Sequence, residues 1–189
     1  MVEEFIDQRD IQRRGYLYVY YPSSAVVADI LRKYGVRDVL DVTYGRGRFY
    51  VMYRPRTLVG VDPMKWDWIV KPDTFHQTTV YHFYRLLKSN EVIIDKPIDC
   101  VVIDPPHWSK NATYRKRDEY NYIIGTPKDI IEHGRKVAEL VKAPYILLHF
   151  NQQLPIGEPI HIVKFRWLAR YAHTENKNLS YYILYRNIS

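Results

Sequence analysis

Four short apolar runs punctuate the chain: VRDVLDV (36–42), TLVGVD (57–62), PIDCVVID (97–104) and APYILLHF (143–150). Each is too short for a buried helix and rich in β-branched residues, so each reads as a buried strand. Helical spacing separates them. In SSAVVADILRKYG (23–35), Val26, Val27, Ile30 and Leu31 share one face, Ser23 or Ser24 can cap the start, and Gly35 can end it. Between the third and fourth runs, Thr126 stands as a cap and Pro127 at the first helical position. Asp129 follows in the first turn, and Ile130, Ile131, Val137, Ala138 and Val141 form one stripe. Strands alternating with helices predict βαβ units, hence an α/β fold with a mainly parallel sheet.

The pattern changes after residue 155. PIHIVKFRWLARY (159–171) and LSYYILYRN (179–187) are both strand-like, and the AHTENKN between them is too short for a parallel crossover. They are expected to pair as an antiparallel hairpin at the end of the sheet. At the other end of the chain, residues 1–22 are polar and then aromatic. GYLYVYYP (15–22) suits a short strand or an arm over the body, which divides the chain into an N-terminal arm (1–22) and one domain (23–189).

Composition narrows the class. At 189 residues the chain suits one domain with a substantial core, and 47% apolar with 26% charged residues excludes a largely disordered protein. No apolar run approaches the roughly 20 residues that cross a bilayer, and MVEEFIDQRD lacks the layout of a signal peptide, so no membrane partner and a cytoplasmic location are expected. Cys100 is the only cysteine, which excludes an internal disulfide and a multi-cysteine zinc site, and the seven histidines show no close metal-ligand spacing. No metal is expected. A net charge of +7 favours an anionic partner, nucleic acid first, and 18 tyrosines offer either stacking surfaces for bases or half-buried strand faces.

Two motifs carry chemistry. In VLDVTYGRGRF (39–49), Asp41 ends a strand and Gly45 and Gly47 lie in the turn after it. Ligands of open α/β sheets settle beyond the carboxyl ends of strands, where glycines allow close approach. The third glycine of a dinucleotide fingerprint is missing. Asp62 ends the next strand, where a carboxylate can take both hydroxyls of a ribose or simply face solvent. This set resembles the cofactor half of class I S-adenosylmethionine-dependent methyltransferases. The resemblance implies S-adenosyl-L-methionine as cofactor, held by Asp41, Thr43, Gly45, Gly47 and Asp62. It extends to Asp73 as a contact to the adenine amine, although a plain loop aspartate fits that position too, and to YYPSS (20–24) near the methionine end.

The second motif is Asp104-Pro105-Pro106-His107-Trp108, a strand exit where two prolines remove the N–H groups of the ladder and fix φ. It resembles the [N/D]-P-P-[Y/F/W] signature of the amino-methyltransferases, the branch that methylates exocyclic amines. The resemblance covers roughly residues 23–150 and implies a Rossmann-like domain with a seven-stranded sheet ending in an antiparallel hairpin. It makes Asp104, Pro105, Pro106 and His107 the catalytic tetrad. The Asp104 carboxylate and the Pro105 carbonyl accept hydrogen bonds from the amine and aim its lone pair at the methyl sulfonium. His107 departs from the aromatic residue of the signature, with Trp108 adjacent as a substitute for stacking on the base.

The stretch SKNATYRKRDEYNY (109–122) places Lys110, Arg115, Lys116 and Arg117 beside the tetrad, interleaved with Tyr114, Tyr120 and Tyr122. That composition suits a lid that tracks a nucleic-acid backbone, and equally a solvated charged loop. The expected substrate is an exocyclic amine of an RNA or DNA base: adenine N6 first, then guanine N2 or cytosine N4. No stretch is left over for separate target recognition, so single-stranded or structured RNA, permissive DNA, or a protein partner supplying recognition is expected. Two other classes compete. One is a catalytically silent methyltransferase-fold subunit that binds nucleic acid or a partner, suggested by His107 and by Arg46 and Arg48 crowding the glycine turn. The other is a protein-glutamine N-methyltransferase.

Overall fold

The central strands owe their position to a pattern that is apolar at every residue, because alternate side chains must be buried on opposite faces of one sheet. The computed structural model describes residues 1–12, 15, 20–106, 125–167 and 179–188. Its strands are β1 (Val2–Asp7), β2 (Asp38–Asp41), β3 (Thr57–Asp62), β4 (Thr74–Gln77), β5 (Cys100–Ile103), β6 (Tyr145–Phe150), β7 (Glu158–Arg166) and β8 (Leu179–Arg186). They form a single mixed sheet in the order β1-β7-β8-β6-β5-β2-β3-β4. Val39, Cys100, Val102 and Leu147 point to one face, and Leu40, Val101, Ile103, Ile146 and Leu148 to the other.

The first face is covered by α2 (Pro22–Lys33) and by a 3-10 turn at Arg48–Tyr50; the second is covered by α3 (Val80–Lys88) and α4 (Pro127–Leu140). A short α1 (Gln8–Gln12) follows β1. Val27, Ile30 and Leu31 of α2 are at most 1% exposed, and each contributes on the order of 1.5–3 kcal/mol by leaving water. In α4, Gly134 lets the helix lie against the sheet, since a Cβ there would stand 2.6 Å from Ile103 Cδ1.

Among the described residues, α2, α3 and α4 end alike. The N–H of Val36 returns to Leu31 O, that of Glu91 to Leu86 O and that of Ala143 to Ala138 O, with Gly35, Asn90 and Lys142 at positive φ. These are Schellman closures, and they turn the chain toward the amino edge of the sheet. The carboxyl edge is left to the helix starts and to the loops after β2, β3 and β5.

The expected α/β architecture and C-terminal antiparallel pairing are present, with several differences. The sheet has eight strands instead of seven, because β1 adds in parallel to the outer side of β7. Its Asp7 is anchored by Arg9 and Arg166. In the hairpin, β8 lies inside, antiparallel to both β6 and β7. Helix α2 is not capped by serine: Tyr21 is its N-cap without a side-chain bond, and Pro22 opens the first turn. Ser24 is fully buried. Its hydroxyl donates to Phe49 O (3.0 Å) and accepts from Met52 N–H (2.8 Å), which ties α2 to the chain after the glycine turn. By contrast, Thr126 and Asp129 form the expected reciprocal capping box. The βα alternation is also incomplete, since only the 3-10 turn intervenes between β2 and β3 and no helix between β3 and β4.

Candidate functional site

From β2 the chain runs outward to β3 and β4, then crosses back to β5 on the opposite side of β2. The carboxyl ends of β2 and β5 therefore border the crevice of a topological switch point, where ligands of open α/β sheets bind. Three aspartates end three strands there: Asp41 after β2, Asp62 after β3 and Asp104 after β5.

Asp41 is 2% exposed. Its Oδ1 accepts from the N–H (2.9 Å) and hydroxyl (3.2 Å) of Thr43, and its Oδ2 from the Tyr50 hydroxyl (2.8 Å). Burial nevertheless pushes the carboxyl up to about 7, and the charge of Asp104 adds to the rise.

The turn that follows is built on its glycines. Gly45 (φ 54°) and Gly47 (φ 73°) occupy the left-handed region, and a Cβ on Gly47 would collide with Val70 O and Tyr44 Oη. Tyr44 lies over Gly60 of β3, where a Cβ would stand 2.7 Å from its ring, and its hydroxyl donates to Val70 O (2.6 Å). The Gly45 N–H donates to Asp62 Oδ2 (3.0 Å). Asp62 Oδ1 takes the N–H of Met64 (2.9 Å) and the indole N–H of Trp66 (3.0 Å).

Asp104 differs from the other two acids. Its side chain is 32% exposed, its backbone N–H donates to Thr43 Oγ1 (2.6 Å), and its Oδ1 lies 2.8 Å from His149 Nδ1. Pro105 behind it is buried.

Two adjoining chambers meet at Thr43, Gly45 and Asp104. The larger, of about 380 Å³, is bounded by Ser23, Asp41, Phe49, His149 and Trp167, with Arg46, Arg48 and Trp66 also on its wall. The smaller, of about 90 Å³, lies between Val42, Asp62, Pro63, Val80, Pro106 and Ile130. The apolar walls of the second suit a flat ring. The first has a buried acid behind it and a half-buried one at its border, and suits a cationic group. Arg46 and Arg48 are exposed, and the Arg46 Nε–H is held on Asp67 O (2.9 Å).

Of the residues singled out in the sequence, Asp41, Thr43, Gly45, Asp62, Asp104 and Pro106 come together on these walls. Ser23 of the YYPSS segment joins them, and Gly47 supports the turn from behind. Asp73 does not join them. It precedes β4 at the amino edge, where its carboxylate takes the Leu58 N–H (2.8 Å) and the Arg54 guanidinium (2.6 Å), so it is a structural loop acid far from the crevice. Asp62 is held by the turn it faces. Its carboxylate already accepts from Gly45, Met64 and Trp66, which holds it at the border of the smaller chamber. His107, Trp108, Lys110, Arg115, Lys116 and Arg117 lie outside the described residues.

Sequence reasoning missed His149, Phe49, Tyr50 and Trp167. The available signal for His149 was a polar residue at the end of the apolar run YILLHF, beside the strand that ends in Asp104. Among the described residues no cluster of three or more histidine, cysteine, aspartate or glutamate side chains is arranged to hold a metal ion, and no helix is long and apolar enough to cross a membrane. No protein-family model matches the chain, and no curated protein matches it either.

Proposed function

We propose that the protein is an S-adenosylmethionine-dependent N-methyltransferase acting on an exocyclic amine of a nucleic-acid base, with adenine N6 as the first choice. One observation carries the reading. Asp104, the most exposed of the three strand-end acids, stands at the shared wall of two chambers, directly before two prolines and across from the glycine turn. Without β1, the sheet is also the seven-stranded one that the resemblance to these enzymes implies.

The residues present fit the cofactor. The smaller chamber offers apolar walls for an adenine ring, with the Asp62 carboxylate at its border for the ribose. The larger offers Asp41, whose elevated proton affinity a bound cation would relieve. S-adenosylmethionine supplies a methyl group on a cationic sulfur. The exocyclic amine of a base is a weak nucleophile because its lone pair is delocalised into the ring. The carboxylate of Asp104 and the carbonyl of Pro105 accept its two hydrogens and orient that lone pair. Asp104 also receives the proton that nitrogen sheds on methylation. The prolines and the Thr43 hydroxyl hold these acceptors in place before the substrate arrives, and such positioning can lower a barrier by roughly 7–11 kcal/mol. The net charge and the arginines of the larger chamber favour a nucleic acid over a protein glutamine.

Tritiated-methyl transfer onto total RNA, genomic DNA and protein, followed by nucleoside mass spectrometry, tests the reading. Methylated nucleosides are expected, and Asp104→Ala should remain folded and lose transfer. Label only in protein would favour the glutamine class. No label together with no calorimetric binding of S-adenosylmethionine or S-adenosylhomocysteine would reduce the protein to a silent scaffold.

A further inference from the structure

We propose that His149 is the positioning residue for Asp104, fixing the orientation in which its carboxylate meets the amine. The inference rests on the methyltransferase reading above. Strands β5 and β6 run parallel with Ile103 opposite Leu148, so Asp104, one step past the end of β5, lies beside His149 of β6. Their side chains meet at 2.8 Å, Nδ1 to Oδ1. A carboxylate only accepts, so Nδ1 carries the proton and donates it.

The imidazole is itself immobilised. Its face lies on Tyr182, the residue opposite it in β8, with centroids 4.1 Å apart and planes 9° from parallel. Its surroundings include Phe49, edge-on with centroids at 5.9 Å. His149 is 6% exposed, behind an Asp104 side chain that is 32% exposed. The backbone of Asp104 is pinned through its N–H to Thr43 Oγ1. Pinning the backbone leaves the side-chain torsions to be set, and the last of them, the rotation of the carboxylate, is intrinsically broad. A donor held rigidly against Oδ1 narrows that rotation and biases where the lone pairs point.

Three variants of the full chain separate positioning from packing. His149→Asn places an amide N–H where Nδ1 stands. His149→Gln carries its amide out to the position of Nε2, and His149→Phe keeps the ring stack without a donor. Melting temperature and far-UV circular dichroism report folding. In His149→Phe and His149→Gln, kcat is expected to fall by on the order of 10²-fold with KM for S-adenosylmethionine little changed, while His149→Asn stays within about tenfold of wild type. Wild-type kcat in a folded His149→Phe would overturn the inference, as would a His149→Asn as impaired as His149→Phe. A second readout needs no turnover. Nitrogen-15 NMR of the free protein should show His149 protonated at Nδ1, with that proton's resonance displaced in Asp104→Ala; a neutral ring protonated only at Nε2 would also overturn it. A wild-type chain that methylates nothing and binds neither cofactor form would instead remove the parent reading, and the inference with it.

Discussion

Asp104 at the end of β5 raises the proton affinity of Asp41, buried at the end of the neighbouring strand β2. Burial is the larger cause, and the hydrogen bonds from Thr43 and Tyr50 only partly oppose it. The carboxyl is pushed from an ordinary value of 3.8 up to about 7, so the folded state binds a proton more tightly than the unfolded chain does.

A pH dependence follows from that sign. The contribution of Asp41 to stability is fully present below about pH 4 and is lost as pH rises toward about 7, at a limiting slope of roughly 1.4 kcal/mol per pH unit. His161, whose pKa burial lowers, works in the opposite direction, so the comparison must be internal. Chemical denaturation of wild type and Asp41→Asn between pH 4 and pH 8 should show the variant gaining on wild type as pH rises. Parallel curves would contradict the assignment.

Gly134→Ala should destabilise, although alanine is the better helix former by about 1 kcal/mol. The new methyl meets the fully buried Ile103, and overpacking of this kind costs about 1–3 kcal/mol. Adding Ile103→Val, which removes the Cδ1 at 2.6 Å, should recover part of the loss in a urea-unfolding cycle.

Lys142→Gly should do the reverse. Lys142 closes α4 at φ 54°, a conformation that a side chain disfavours, and its N–H to Glu139 O survives the substitution. A gain of about 0.5–1 kcal/mol is expected in thermal unfolding.

Arg46→Ala and Arg48→Ala should each weaken binding of a single-stranded oligonucleotide. If each arginine meets one phosphate, each loss makes the log–log salt slope shallower by about 0.7. A fluorescence titration at several salt concentrations reads both quantities.

How much of this was legible in the sequence follows from where each signal resides. The strands β2, β3, β5 and β6 were readable because burial on both faces makes the sequence itself apolar. Strand β4 was not: Thr74–Gln77 is short and half-exposed, and its one face is decided by packing on β3. Strand β1 was missed for the same reason, as an exposed edge carries little hydrophobic pattern. The serines before Val26 had the chemistry of a cap, yet Pro22 already supplies the helix start, so Ser24 was released to join α2 to Phe49 and Met52. Asp41, Gly45, Asp62 and Asp104 were legible because strand ends announce themselves. Asp73 misled because an acid before a strand and an acid after one look alike until register is known. His149 depends on which strand lies next to β5, and no local pattern states that.

The slot that β8 fills has a consequence for synthesis. A nascent chain that has emerged only through β7 carries β6 with one bare side and β7 with nothing to bridge it to the rest. Tyr182, the platform under His149, arrives with β8 itself. The pocket thus acquires its floor only when β8 slides into the middle of the sheet, between β6 and β7.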